Sequence, residues 1–343
     1  MTVLLHRRTF LHLLSALIGM PKMLAQSAAP LAIRGFNHVT LTVSDLQRSF
    51  DFYQGLFGMP AQSRQNSTTV SLQVGSGPQH LGLTTTPSSG NRTPNIDHMC
   101  VAIDHFDLNR LLQVLADRGV PRSDQRAAMK VQVRMRTPEV GGAAEGTPEV
   151  YMGDPDGIIV QLQDATYCAG SGVLGNVCSA PEPAPKKGLL AVKGYSHCTV
   201  FVSDPQRSNR FYQQLFGMPF RSYQGPTAPT LAIGPGVEFL MFTGGGGTSA
   251  AARQPTINHF CMGVEGFDRN QIVKALESYG IKPRESETGP VAPLRHYVSM
   301  RMENRGGAKE GTPELYFTDP DGILVQLQDV SYCGGSGMLG NVC

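Results

Sequence analysis

The sequence predicts an α+β protein built from two tandem copies of one domain, and three observations carry that expectation. The run from Glu145 to Asp164 (Glu-Gly-Thr-Pro-Glu-Val-Tyr through Asp-Pro-Asp-Gly to Gln-Leu-Gln-Asp) recurs with few changes from Glu310 to Asp329. Tyr151 matches Tyr316 and Gln161 matches Gln326, an offset of 165 residues (326 − 161), the mark of a duplicated domain. Upstream of each copy the order strand, helix, strands can be traced twice over. Once the N-terminus is set aside, about 310 residues remain, enough for two domains that each bury a core.

The first residues read as an export signal rather than as part of the fold. Arg7 and Arg8 precede an apolar run from Leu11 to Met20, with small residues around Ala25 to Ala29. That run is shorter than the roughly 20 apolar residues a bilayer span needs. The pattern resembles a twin-arginine signal, which implies periplasmic or secreted localisation of a chain exported already folded. A net charge of +2 supplies no basic field for nucleic acid, and no long apolar segment follows the signal. The expected organisation is therefore a signal over 1–29, a first module over 34–178, a Pro-rich, stiff, solvated linker over 179–192, and a second module over 193–343.

Taken in order, Gly35 to Val43 alternates as a strand with His38, Thr40 and Thr42 on one face. Ser44-Asp45 caps a helix from Leu46 to Phe57, which Gly58 ends. Strands follow at about 66–74 and 79–85. A polar loop leads to a second histidine strand, Ile96 to Ile103, carrying His98. A helix from Leu108 to Arg118 and the strands around Tyr151 and Gln161, joined by the Asp-Pro-Asp-Gly turn, close the module. The second module repeats this with His197, a helix from Arg207 to Phe216, His259, and Tyr316 and Gln326.

Four of the seven cysteines, Cys168, Cys178, Cys333 and Cys343, bracket the Gly-rich loops that end each module. Each pair can close a local disulfide in an oxidising compartment. Four-thiolate zinc is the competing reading, and the absence of Cys-x-x-Cys spacing weighs against it. Cys100, Cys198 and Cys261 fall in apolar strands as buried thiols. The loops are expected to brace a sheet edge or to cover a cleft mouth.

The histidine strand, the helix ending in Tyr-x-x-Leu-Phe-Gly-Met, the second histidine strand and the closing Asp-Pro-Asp-Gly hairpin together resemble the vicinal oxygen chelate superfamily of glyoxalases, bleomycin-resistance proteins and extradiol dioxygenases. The resemblance covers 34–165 and 193–329. It implies pairs of βαβββ units forming curled, mixed or antiparallel sheets, with helices outside and a ligand or metal on the concave face. It also implies metal ligands at His38, His98 and Gln161 in module one, and at His197, His259 and Gln326 in module two. Two imidazoles and one oxygen suit Fe(II) first, and Mn, Ni or Zn as well. The departure is Gln161 and Gln326, which stand where the superfamily usually has glutamate, so the site lacks a neutralising charge.

Glu149 and Glu314 could compensate as ligand or base, with Tyr151 and Tyr316 as proton donors. His80 and Glu238 are candidate fourth ligands offset by one residue, so a single register admits only one of them. His105 and His296 read as surface histidines. The leading functional expectation is an extradiol-type dioxygenase acting on a small catechol-like compound. A glyoxalase-type lyase or isomerase, and a metal-free small-molecule binding protein, are the alternatives. Homo-oligomerisation is left open, and the matched histidines lead to the expectation that both modules are active.

Overall fold

A computed structural model describes residues 29–85, 93–244 and 254–343; the segment expected to be an export signal lies outside them but for its last residue. Module one comprises β1 (Ile33–Thr42), α1 (Leu46–Phe57), β2 (Ala61–Asn66), β3 (Thr69–Gln73) and β4 (His80–Thr84). It continues with β5 (Asn95–Ile103), α2 (Leu108–Asp117), β6 (Val131–Arg136), β7 (Thr147–Gly153) and β8 (Ile159–Asp164). Module two follows the same plan with β9 (Val192–Val202), α3 (Pro205–Phe216), β10 (Phe220–Tyr223), β11 (Pro229–Ala232) and β12 (Phe239–Gly244). Its second half is β13 (Thr256–Val264), α4 (Arg269–Ser278), β14 (Lys282–Pro283), β15 (Arg295–Arg301), β16 (Thr312–Thr318) and β17 (Leu324–Asp329).

Each module is one mixed sheet, in the order β2-β3-β4-β1-β5-β8-β7-β6 for the first and β10-β11-β12-β9-β13-β17-β16-β15-β14 for the second. The two histidine strands pair antiparallel at the middle of each sheet, β1 with β5 and β9 with β13. Two βαβββ units are thus joined edge to edge, as expected of an α+β fold of this kind.

The helices begin and end where side-chain chemistry directs. Asp45 accepts from the Arg48 N–H at 3.0 Å and Gly58 stops α1 at φ +67°. Asp204 and Gly217 do the same for α3, as expected for carboxylate N-caps and left-handed C-caps. Strand β2 was not anticipated, because Ala-Gln-Ser-Arg-Gln-Asn carries little apolar periodicity; it is held by pairing with β3. No helix among the described residues is long and apolar enough to cross a membrane.

The modules are not beads on a string. One continuous apolar core includes buried residues of both, and Phe52 and Phe57 of α1 face Phe317 of β16 at 6.3 and 6.2 Å. The repeated motifs reach across the boundary symmetrically. Asp319 opens the second Asp-Pro-Asp-Gly turn, caps its own turn through the Asp321 and Ile323 N–H groups, and receives the Tyr53 hydroxyl of α1 at 3.1 Å. Asp321 accepts from Ser44 and Arg48 at the start of α1. In the mirror-related contact, Asp154 receives Tyr212 at 3.3 Å, and Asp156 accepts from Ser203 and Arg207. The Asp-Pro-Asp-Gly turn is therefore a docking element as well as a hairpin.

The inter-module segment is also less free than its proline content implies. Glu182 pairs with Ala61 through two backbone hydrogen bonds of 2.8 Å, and Leu189 and Leu190 donate to the Leu56 carbonyl. The stretch between these anchors is largely exposed.

Candidate functional site

The two central strands of each sheet carry the histidines, and a β-bulge precedes every one of them. The pairing passes from Phe36↔Val101 to His38↔Cys100, leaving Asn37 as an extra residue, and from Thr40↔His98 to Leu41↔Ile96, leaving Asp97. In module two the extra residues are Ser196 and Asn258. A bulge re-aims a side chain that strict alternation would send to the opposite face. Here it lets a polar residue turn back to the histidine that follows it.

Asn37 donates through Nδ2 to the Tyr167 carbonyl (2.8 Å), so its Oδ1 is the acceptor that meets His38 Nδ1 at 2.8 Å. Asp97 meets His98 Nδ1 at 2.6 Å. Ser196 donates to the Tyr332 carbonyl and accepts from His197 Nδ1 at 3.1 Å, while Asn258 Oδ1 meets His259 Nδ1 at 2.7 Å. Every one of the four imidazoles therefore carries its hydrogen on Nδ1 and presents a bare Nε2 lone pair to the concave face.

These lone pairs converge. His38 Nε2 stands 3.3 Å from His98 Nε2 and 3.0 Å from Gln161 Oε1. His197 Nε2 stands 3.3 Å from His259 Nε2 and 3.0 Å from Gln326 Oε1. In register, Cys100 lies between His38 and Gln161, and Cys261 between His197 and Gln326, so a small thiol floors each triangle. Protonation does not relieve the repulsion among three acceptors. Burial, then the neighbouring His80 and His98, hold His38 well below its ordinary range. Burial and His259 do the same to His197.

A cation does fit. Donors about 2.1 Å from an ion and at right angles to one another stand roughly 3.0 Å apart, close to the observed spacing. Gln161 Nε2 and Gln326 Nε2 are buried without a hydrogen-bond partner, so each amide oxygen points inward and each amide N–H is left over for a bound molecule. No group of three or more His, Cys, Asp and Glu among the described residues is arranged to hold a metal. The third donor in both triangles is an amide oxygen.

The register settles the offset pair. His80 lies directly opposite His38 across the parallel β1–β4 pair, and their rings stack at 4.4 Å. Its Nδ1 meets the Pro78 carbonyl (3.1 Å), a pure acceptor, so His80 Nε2 carries a lone pair with no hydrogen-bond partner among the described residues. Burial pushes His80 down to about 4, against the bond to Pro78. The residue opposite His197 is Phe239, also stacked at 4.4 Å. Glu238 faces away from the site and crosses the module boundary, accepting from Phe36 N–H at 2.6 Å and from Gln79 Nε2 at 2.8 Å.

Glu149 and Glu314, the candidate ligand or base of each module, are both engaged by arginines and tyrosines. Glu149 Oε1 accepts from Arg136 Nε (2.9 Å) and Tyr167 OH (3.0 Å), and Oε2 from Arg134 Nε (2.7 Å) and Tyr151 OH (3.1 Å). Burial raises its pKa, but Arg134 and Arg136 outweigh burial and leave the carboxyl below its ordinary range. Glu314 is held by Arg301 and Tyr332, with Tyr316 OH at 3.5 Å. Each glutamate is thus a counter-charge that orients two tyrosines. Burial and the adjacent carboxylates keep Tyr151 and Tyr316 protonated, and Tyr151 directs its one hydrogen at Glu149. Both rings stand edge-on to a site histidine at 5.4 Å.

Residues that the linear reading did not single out complete the first site. Arg126 binds Asp97 at 2.8 Å and lies 3.9 Å above the Tyr151 ring. Tyr167 flanks His38 and His80 at 5.7 and 6.0 Å. The signal for Tyr167 is that a tyrosine precedes the first cysteine of both Gly-rich loops, Tyr167-Cys168 and Tyr332-Cys333. That loop both braces and lines the cleft: the Cys168–Cys178 and Cys333–Cys343 disulfides close, Arg136 and Thr147 donate to its carbonyls, and Tyr167 faces the cavity. The three other cysteines are buried thiols. Of the two unmatched histidines, His105 is exposed as expected. His296 is instead buried, with Nε2 3.4 Å from Glu277.

The two triangles differ in what lies over them. Above the first is a cavity of about 630 Å³ reached by His38, His80, His98 and Gln161. Above the second, Phe239, Met241 and Tyr332 form a separate buried apolar cluster. Met241 takes the place of Gly82, since each lies opposite the threonine two residues after its strand's histidine, Thr199 and Thr40.

A curled mixed sheet that brings two imidazoles and an amide oxygen together at its centre is the arrangement that the resemblance implies. The chain belongs to the Glyoxalase/Bleomycin resistance protein/Dioxygenase superfamily, whose model matches residues 35–162 and 194–327. Among solved structures it is similar to homoprotocatechuate 2,3-dioxygenase from Brevibacterium fuscum in complex with 3,4-dihydroxyphenylacetate (17% identity, TM-score 0.59, 90% of this chain and 84% of that one). It is likewise similar to a catechol 2,3-dioxygenase (16%, 0.57, 89% and 88%). A third is the Mn(II)-bound glyoxalase from Novosphingobium aromaticivorans (14%, 0.55, 87% and 82%). At these identities the likeness is one of fold. No curated protein is a significant match.

Proposed function

We propose that this chain is an exported, divalent-metal-dependent enzyme whose working site is module one, and that it acts by proton transfer on a small molecule bearing two neighbouring oxygens. The observation that carries this reading is the triangle of His38 Nε2, His98 Nε2 and Gln161 Oε1 at the floor of an open cavity, with the unpartnered Nε2 of His80 beside it. His38, His98 and Gln161 would hold the ion. A divalent ion there supplies Lewis-acid polarisation of oxygens on the substrate. Asn37 and Asp97 keep the two imidazoles in the binding tautomer, a role that commonly determines ligand basicity and orientation.

The chain's own groups would do the rest. Gln161 Nε2 donates to a substrate oxygen, since it is buried and otherwise unmatched. His80 Nε2 accepts the proton, being the free base nearest the triangle. Glu149 fixes Tyr151 and Tyr167 as walls. The neutral third donor leaves the ion's double charge uncompensated. That favours polarisation of a substrate over the redox chemistry usually served by two histidines and a carboxylate. A glyoxalase-type lyase or isomerase is accordingly preferred here, and the catechol-type dioxygenase becomes the second reading.

The test combines metal analysis with turnover of α-hydroxycarbonyl and vicinal-diol panels on chain purified without chelators. His38→Ala and His98→Ala should each lose the module-one ion. His80→Phe, which installs the residue found at the matching place in module two, should keep the ion and lose about 10²-fold or more of turnover. Full turnover by His38→Ala would sink the proposal. Iron-dependent O₂ uptake matched to product would establish the dioxygenase instead.

A further inference from the structure

We infer that the molecule received by the module-one cleft is polyhydroxylated and carbohydrate-like, seated on a wall of hydroxyl side chains that β3, β4 and β1 build outward from the His38–His80 pair; this rests on the cleft being a substrate site. Three strands in register set residues in rows on the concave face, because directly opposed residues point the same way. The innermost row is Gln73–His80–His38, the next Ser71–Gly82–Thr40, and the outermost Thr69–Thr84–Thr42. Beyond the histidines, every side chain of the two outer rows ends in a hydroxyl.

The middle of this wall is hollow. Gly82 has no side chain, and a Cβ placed there would stand 2.7 Å from Thr40 Oγ1. Thr69 and Thr84 touch through their hydroxyls at 3.1 Å. Among the described residues, the hydroxyls of Thr40, Thr42 and Ser71 have no side-chain partner. Across the cavity the polar lining continues with Gln65, Gln132 and Arg134.

Module two supplies the contrast within the same chain. Its corresponding rows are Ala232–Phe239–His197, then Thr230–Met241–Thr199, then Thr243–Phe201. Three threonines remain in those rows, but Phe239, Met241 and Phe201 replace His80, Gly82 and Thr42, so the full set of hydroxyls and the hollow at Gly82 are not a requirement of the sheet. An aromatic ring laid on module one's wall would strip water from several hydroxyls and return no hydrogen bond, at about 1–3 kcal/mol for each group left unmatched. A polyol returns those bonds. Sites built to bind a substrate hydroxyl reject analogues that lack it far more strongly than apolar pockets reject an extra methylene. A cavity of about 630 Å³ is in the range of small-ligand sites and has room for a six-carbon sugar.

The deciding experiment is calorimetric binding to the full chain with D-gluconate, D-galactose and myo-inositol as polyhydroxylated probes, and catechol and protocatechuate as aromatic ones. At least one polyhydroxylated probe should bind more tightly than either aromatic diol. The Thr69→Val/Thr84→Val variant should weaken that probe tenfold or more and leave the catechols unchanged. If the double variant fails to fold, Ser71→Ala should weaken the same probe severalfold. Tighter binding of the catechols, no binding of any polyhydroxylated probe, or polyol affinity indifferent to these substitutions overturns the inference. Binding is read without turnover. A polyol that binds but is never converted retains this inference and removes the enzymatic reading; a catechol that is converted while no polyol binds does the reverse.

Discussion

Replacing Asp97 by asparagine tests whether the bulge residues tune an ion site, because module two already carries asparagine at the matching position. Asp97 meets His98 Nδ1 at 2.6 Å and is 17% exposed. Adding the width of an imidazole and a metal–nitrogen bond puts the carboxylate roughly 7 Å from an ion held at Nε2. At an effective dielectric of about 20, one negative charge at that distance attracts a divalent ion by roughly 5 kcal/mol. Arg126, 2.8 Å from the same carboxylate oxygen, is present in parent and variant alike, and solvent screening at a partly exposed carboxylate brings the difference below that figure. Asparagine keeps the hydrogen bond and forfeits the charge, so the expected loss is about 10- to 100-fold in affinity, the range typical of such outer partners. The assay is competition for Mn(II) or Zn(II) against a fluorescent chelator, with thermal melting to confirm an intact fold. Asp97→Asn should weaken one ion per chain, and Asn258→Asp should tighten the other. An Asp97→Asn chain that titrates like the parent, or that weakens both ions equally, would refute the argument.

Two further outcomes follow from the buried charges. Arg136 and Glu149 are 0% and 1% exposed at the side chain, and Glu149→Gln strands the guanidinium, so stability should fall by about 3–5 kcal/mol; a melting temperature within 2 °C of the parent would show that the pair is not holding the module. Asp154 and Asp319 are both pushed up to about 6, burial being the first cause, from an ordinary 3.8. Because the folded state holds these protons more tightly than the unfolded one, the contribution is fully present below pH 4 and is lost as pH rises to 6, by at most about 3 kcal/mol per group. Asp154→Asn/Asp319→Asn should flatten that part of the stability profile, and an unchanged profile would exclude these two carboxylates as its source.

The helices, the four histidine strands and the duplication were legible in the sequence because their signals are local and periodic. Asp45 and Gly58 bracket α1, and His38, Thr40 and Thr42 alternate on one face, so the concave face could be read directly. Asn37 and Asp97 were not legible for the same reason: alternation sends the residue before each histidine to the far side, and only the bulges bring it back. Glu149 looked free because its partner Arg136 lies on a neighbouring strand, and pairing across strands is invisible to a linear reading. His80 and Glu238 could not be separated until the register of β4 and β12 was known, since one residue of slip exchanges the two faces. The tyrosine of Tyr-x-x-Leu-Phe-Gly and the Asp-Pro-Asp-Gly turn were recognised as motifs, but each finds its partner in the other module.

The reciprocal grip of those two motifs has a consequence for how the sites could diverge. In a dimer of identical subunits, any substitution appears in both clefts at once, so a residue that fills one cleft fills the other. Carrying the same handshake within one continuous chain removes that constraint. Gly82 and Met241 occupy equivalent places and answer to different demands, and the module that carries Met241 still supplies Asp319, Asp321 and Tyr195, three groups on which the other module leans. A module with bulkier side chains over its histidines can thus be retained as architecture, and drawing the two modules apart would expose apolar surface on each.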